Sequence, residues 1–163
     1  MTRTRVFILA ALSVVLSMCF SLGLRSQEAI DVESLEQKTV KADLIVIGRV
    51  IDAKSSWNET RSQIYTYVSL SLEEIIKGCS LKKDITIRIT GGAVGEIGAV
   101  VPEMASFRKG ERALVFLERD LHSDHYLVLY GRYGKYEISH GNTVSGAVPL
   151  PEFLDKIRQY IPK

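Results

Sequence analysis

At 163 residues and 18.2 kDa, with 46% apolar and 25% charged residues, the chain has the make-up of a globular protein long enough for one buried core. Its 21 basic residues stand against 19 acidic ones, and setting aside Arg3 and Arg5 with the amino-terminal segment leaves a neutral domain. That lacks the net basic footprint a nucleic-acid partner requires.

Arg3 and Arg5 precede a charge-free apolar run from Val6 to Leu24, the n-region and h-region of a secretory signal. Ser21 and Gly23 put small residues where a signal peptidase reads, which predicts cleavage near Gly23 and a signal over residues 1–23. The run is also long enough to span a bilayer, so an uncleaved anchor through residues 6–24 is the alternative. Met18 directly before Cys19 is a poor fit to a lipoprotein signal, which carries a small residue there. Cleavage removes Cys19 and leaves Cys79 alone, so the mature chain has no intramolecular disulfide, and a disulfide dimer through Cys79 is the expected use of that thiol.

Residues 24–41 are polar, with Ser34 as the cap of a short helix and Leu35, Thr39 and Ala42 near one face. The folded domain is expected over residues 42–163. It is organised around Asp43 to Lys77, read as two long antiparallel strands joined by a polar turn. The continuous run Leu44-Ile45-Val46-Ile47 predicts a strand buried on both faces at its start, with a bend or bulge at Gly48. The second strand alternates, with Val68, Leu70 and Leu72 on one face and Tyr65, Tyr67, Ser69 and Ser71 on the other. Glu73 and Glu74 break the alternation, which predicts a bulge there.

Asp84 to Thr90 is a third strand, with Ile85, Ile87 and Ile89 inward. The connection from Gly91 to Gly110 carries Gly91, Gly92, Gly95, Gly98 and Pro102, with a short strand near Ile97 to Val101. Loops this long inside compact domains usually have a function or wrap an opening. Arg112 to Glu118 and His125 to Arg132 read as a second hairpin with its tip at Arg119 to Asp124, followed by strands at Tyr133 to Ser139 and Thr143 to Val148. Phe153, Leu154, Ile157 and Ile161 form one stripe of a terminal helix that should cap the barrel. This sum of elements predicts an all-β fold with short flanking helices, a small Greek-key OB-like β-barrel.

The segments Ala42-Asp43-Leu44-Ile45-Val46-Ile47-Gly48-Arg49-Val50, Val68 to Gly78 and Phe107-Arg108-Lys109-Gly110-Glu111-Arg112-Ala113-Leu114-Val115-Phe116-Leu117 resemble the netrin and tissue-inhibitor-of-metalloproteinases type of OB barrel, its secreted prokaryotic relatives above all. The likeness covers roughly Ala42 to Ile138 and implies a secreted barrel with partner binding as its theme. Tissue inhibitors chelate the protease zinc through an amino-terminal cysteine; this chain has no cysteine near its mature start, so that mechanism does not transfer.

No cofactor is called for by any motif. The Gly91 to Gly98 segment lacks the following helix and the lysine-hydroxyl pair of a nucleotide loop. No serine elbow, no H-E-x-x-H and no paired carboxylates occur. His122, Asp124 and His125, with Asp120 and Glu118 nearby, have the donor types of a metal site. The outward meander face, Arg49, Tyr65, Tyr67 and Arg88, together with Gly91, Gly92 and Gly95, is the expected partner-binding surface, because tyrosine and arginine dominate protein-binding hot spots. Asn58-Glu59-Thr60 is a glycosylation sequon at the first hairpin tip.

The leading expectation is an exported, non-catalytic module that binds a protein or polymer of the envelope or medium. The alternatives are an extracytoplasmic metal-dependent enzyme centred on His122 and His125, and a membrane-anchored structural envelope domain.

Overall fold

The computed structural model describes residues 35–139, 142–144 and 148–162. The expected signal segment, Ser34, His140 and Gly141 lie outside the described residues, and no described helix is long and apolar enough to cross a membrane.

A short helix, α1 (residues 35–41), leads into the barrel. Strand β1 (Leu44–Trp57) and β2 (Ile64–Lys77) pair antiparallel along their whole lengths, from Ile45 opposite Lys77 to Trp57 opposite Ile64. Asn58 closes the hairpin between them, its side-chain oxygen accepting from the backbone N–H groups of Ser62 at 2.8 Å and Gln63 at 3.1 Å. Fourteen residues extend about 45 Å at roughly 3.3 Å each, so both strands have to bend to fit a small barrel. Three register shifts do this, after Ile45, Ile47 and Val50, leaving Ile76 and Glu73 on β2 and Ile51 on β1 as extra residues. The bulge expected at the glutamates and the irregularity at Gly48 are therefore one feature.

β3 (Asp84–Thr90) pairs with β2, and β4 (Gly92–Val94) with β5 (Ile97–Ala99) makes a small separate hairpin. β6 (Arg112–Arg119) returns antiparallel along the free edge of β1. β7 (Tyr126–Val128) pairs antiparallel with β6 and parallel with β3 at Ile87 opposite Tyr126. The order β1-β2-β3-β7-β6-β1 closes on itself, so the fold is a five-stranded Greek-key barrel of the OB kind. β8 (Lys135–Glu137) continues along the edge of β6 that β7 uses, and β9 (Thr143–Val144) pairs with β10 (Val148–Pro149).

The segment expected as one strand over His125 to Arg132 is shorter because Tyr130 and Gly131 take left-handed φ values of 58° and 59°. A 3-10 turn, Gly131–Gly134, follows. Gly131 is required there: a Cβ would collide with the carbonyl of Glu103, to which the N–H of Arg132 donates at 2.7 Å.

Two layers of core share β1 and β6. Inside the barrel lie Leu44, Val46, Val50, Val68, Leu70, Ile85, Ile87, Ile89, Ala113, Val115 and Leu117. The opposite parity of the same strands, Ile45, Ile47, Leu114 and Phe116, is equally buried. Its cover is aromatic: Tyr136 of β8 packs on Phe116 with centroids 5.9 Å apart and on Phe153 at 4.8 Å. Phe153 belongs to α2 (Leu150–Tyr160), whose Leu150, Phe153, Leu154 and Ile157 are buried. The terminal helix thus lies over the outward side of β6, where the sequence had it closing an end. At the other edge Lys77 ends β2 by donating to the carbonyls of Thr39, Val40 and Ala42 at 2.8, 2.9 and 2.7 Å. These are the carbonyls a helix C-terminus leaves unsatisfied.

Phe116→Ala empties the joint between barrel and helix, and urea denaturation should show a loss of about 3–5 kcal/mol. A loss below about 1 kcal/mol would mean that Tyr136 and Phe153 do not depend on it.

Candidate functional site

The alternation of β2 and β3 turns Tyr65, Tyr67 and Arg88 away from the core, and the register sets Tyr67 opposite Arg88 and Tyr65 opposite Thr90. Arg88 leans over the ring of Tyr65, its guanidinium carbon 5.0 Å from the centroid. The same guanidinium reaches Asp120 at 2.9 Å, on the loop between β6 and β7. His125, at the end of that loop, packs on Tyr67 with centroids 5.2 Å apart and planes at 58°. The tyrosine face and the histidine turn, separate in the sequence, are one assembly.

Ser123 joins its two halves. Its hydroxyl lies 2.7 Å from Asp120 Oδ2 and 2.9 Å from His125 Nδ1, while Asp120 Oδ1 accepts from the N–H of His122 at 3.1 Å. The Ser123 hydroxyl, the His122 N–H and then Arg88 hold the Asp120 carboxyl below the usual carboxylate range, against the opposing effect of its burial. An ionised Asp120 only accepts, so Ser123 donates to it, and Nδ1 of His125 must then be the protonated nitrogen that donates to Ser123. This order is not that of a nucleophilic triad, in which the imidazole takes the serine proton. Here the serine proton points at the carboxylate.

Beside this assembly runs a groove of about 640 Å³ between the β2–β3 turn and the β6–β7 loop, lined in part by Cys79, Lys82, Thr86, Asp124 and His125. Lys82 and Asp124 form an ion pair across it, which holds the Asp124 carboxyl low. Leu81 and Leu121, also in the lining, are fully exposed. Cys79 is an exposed free thiol.

The other expected residues fall elsewhere. Arg49 sits opposite Ser71, well along β2 from Tyr65 and Tyr67, and pairs with Glu73 at 3.2 Å. Gly91 and Gly92 pack against the inward residues Ser55 and Thr66 of the first hairpin: Thr66 Oγ1 donates to the Gly91 carbonyl at 2.7 Å and lies 2.9 Å from Ser55 Oγ. Gly92 has φ 127°, and a Cβ on it would collide with both hydroxyls. Gly95, φ 62°, is the open tip of the β4–β5 hairpin. Of the expected metal donors, Asp124 is held by Lys82 and His125 Nδ1 by Ser123. Among the described residues no three His, Cys, Asp or Glu side chains gather closely enough to hold an ion. What the sequence reading missed is Ser123, although Asp-x-x-Ser in a turn is the pattern that makes side-chain to backbone hydrogen bonds.

No family model matches the chain, and no curated protein matches it.

Gly92→Ala should destabilise the protein by about 2–3 kcal/mol in urea, against about 1 kcal/mol for Gly95→Ala, whose strain is backbone alone. Because the Asp120 carboxyl is depressed in the folded state, it contributes stability that is fully present above its unfolded value near 3.9 and is lost as pH falls through the folded value. Melting temperatures of the wild type and Asp120→Asn should therefore differ most near neutral pH and converge in acid; a gap that persists below about pH 2 would locate the effect in packing.

Proposed function

We propose that the protein is an exported binding module that captures a protein or polymeric partner on the Tyr65, Tyr67 and Arg88 face and the adjoining loop 119–125. The observation that carries this is the chain of contacts Tyr65, Arg88, Asp120, Ser123, His125, Tyr67, which ties the outward side of β2 and β3 to the loop between the fourth and fifth barrel strands. OB barrels take their ligands at this place, on the second and third strands and the loops flanking them. Side chains fixed in advance lose little freedom on binding, and tyrosine and arginine bury large area while keeping a polar handle.

The charges support the same reading. Arg88 with Asp120 and Lys82 with Asp124 are internally neutralised, so the face presents aromatic and polar surface with little net field. Export rests on Arg3, Arg5 and the Val6 to Leu24 run, and a kinship with netrin-like and tissue-inhibitor-like barrels rests on the segments Ala42 to Val50, Val68 to Gly78 and Phe107 to Leu117. The metal-dependent alternative has no converging donor set to stand on among the described residues.

Affinity capture from native medium or envelope tests this. Tyr65→Ala with Tyr67→Ala should abolish capture, at about 2 kcal/mol or more per hot-spot side chain, while circular dichroism stays unchanged and Lys156→Ala on α2 captures normally. If the double variant retains the same partners at the same yield, the face is not the binding surface.

A further inference from the structure

A second groove, about 740 Å³ in volume, lies toward the other end of β1, and Arg49, Glu73, Arg108, Lys109, Arg112 and Asn142 are among its lining residues. The register places Arg49 of β1 directly opposite Arg112 of β6. Like charges facing each other on neighbouring strands destabilise a sheet. A single carboxylate bridges them: Glu73 Oε1 is 3.2 Å from Arg49 Nη2, and Oε2 is 2.5 Å from Arg112 Nε. Glu73 is the extra residue of the β2 bulge, so the irregular backbone is what delivers it. Arg49 Nη1 donates to the Gly110 carbonyl at 3.2 Å and Arg112 Nη1 to Asn142 Oδ1 at 3.2 Å. The remaining donors of both forks have no partner among the described residues.

The surplus of positive charge does not stop there. Arg108 and Lys109 are exposed on the adjoining turn; the acid that feels Lys109, Asp52, already pairs with Lys54 at 2.8 Å. The Glu111 carboxylate beside them is neutralised by Lys135 and accepts the Arg108 N–H at 2.9 Å. Glu137 is the one further acid of the lining. Four cations thus meet Glu73 and Glu137, in a domain whose charges balance overall.

We propose that this groove binds an oxyanion, a phosphate or carboxylate group, on the open guanidinium donors of Arg49 and Arg112, with Arg108 and Lys109 closing over it and Glu73 keeping the two forks together. Guanidinium forks match such oxygens in pairs, and charge-assisted bonds of this kind are roughly twice as strong as neutral ones. The site is separate from the tyrosine face and does not depend on it.

Titration calorimetry of the purified protein at low ionic strength, with inorganic phosphate and with citrate, gives one arm of the test. Sedimentation with phosphatidylcholine vesicles containing phosphatidylserine gives the other. Saturable binding is expected in at least one: soluble anions mark a free ligand, and vesicles alone mark a lipid headgroup. Arg108→Ala with Lys109→Ala, on an exposed turn where folding is not at stake, should weaken binding about tenfold. Arg49→Gln should weaken it further, and Tyr65→Ala with Tyr67→Ala should leave it unchanged. No binding in either arm, or binding undiminished in the Arg108 and Lys109 variant, overturns the proposal.

Discussion

Strand β1 is paired along both edges and buried on both faces from Leu44 to Ile47, and the rest of the molecule is arranged to meet those four demands at once. β2 takes one edge and β6 the other. The inward parity closes the barrel interior, and the outward parity calls for the Tyr136 and Phe153 cover. A strand under such constraint cannot slip, because a shift of one residue would exchange two sets of packing partners and misalign both ladders. The three register shifts then have a definite role: they bend the long β1–β2 ladder around the barrel without moving the residues that the core has fixed.

Closure of the barrel makes the tyrosine face. The parallel pairing of β3 with β7 at Ile87 and Tyr126 brings the end of the β6–β7 loop against the outward side of β3. Asp120 is thereby buried with Arg88 as its countercharge, in a pair whose carboxylate is also met by a hydroxyl and a backbone N–H. A buried carboxylate without those donors would be costly; with them it fixes the loop, and the loop in turn orients His125 on Tyr67. The rigidity of the face is thus a consequence of satisfying one buried charge.

Period-two patterning makes much of this legible in the sequence. Ile85, Ile87 and Ile89 on β3 and Val68, Leu70 on β2 alternate cleanly, and Leu44 to Ile47 has the unbroken apolar run of a strand covered twice. The broken parity at Glu73 and Glu74 even located a bulge. What failed to show were features that depend on non-local contact. Tyr130 and Gly131 cut a strand short because of a hydrogen bond to Glu103, far back in the chain, and the terminal helix turned to the outer side of β6 because Phe116, invisible as outward from its continuous apolar neighbourhood, needed covering. The candidate site followed the same division. Tyr65, Tyr67 and Arg88 could be placed on one face from alternation alone, whereas their union with Asp120, Ser123 and His125 depends on barrel closure. Arg49 has the correct outward parity but lies too far along the strand.

That displacement of Arg49 exposes a difference between the two charged regions. Around Asp120 the buried carboxylate has Arg88 as its counterpart and Asp124 has Lys82. Around Glu73 one carboxylate is divided between two facing arginines, and the turn beside it adds Arg108 and Lys109, while its own acid, Glu111, is taken by Lys135. Stability alone would not favour that arrangement, since replacing either facing arginine by a neutral strand-forming residue would remove a like-charge pair from the sheet. On the proposal made above, an oxyanion ligand would supply countercharge beyond that of Glu73 and Glu137.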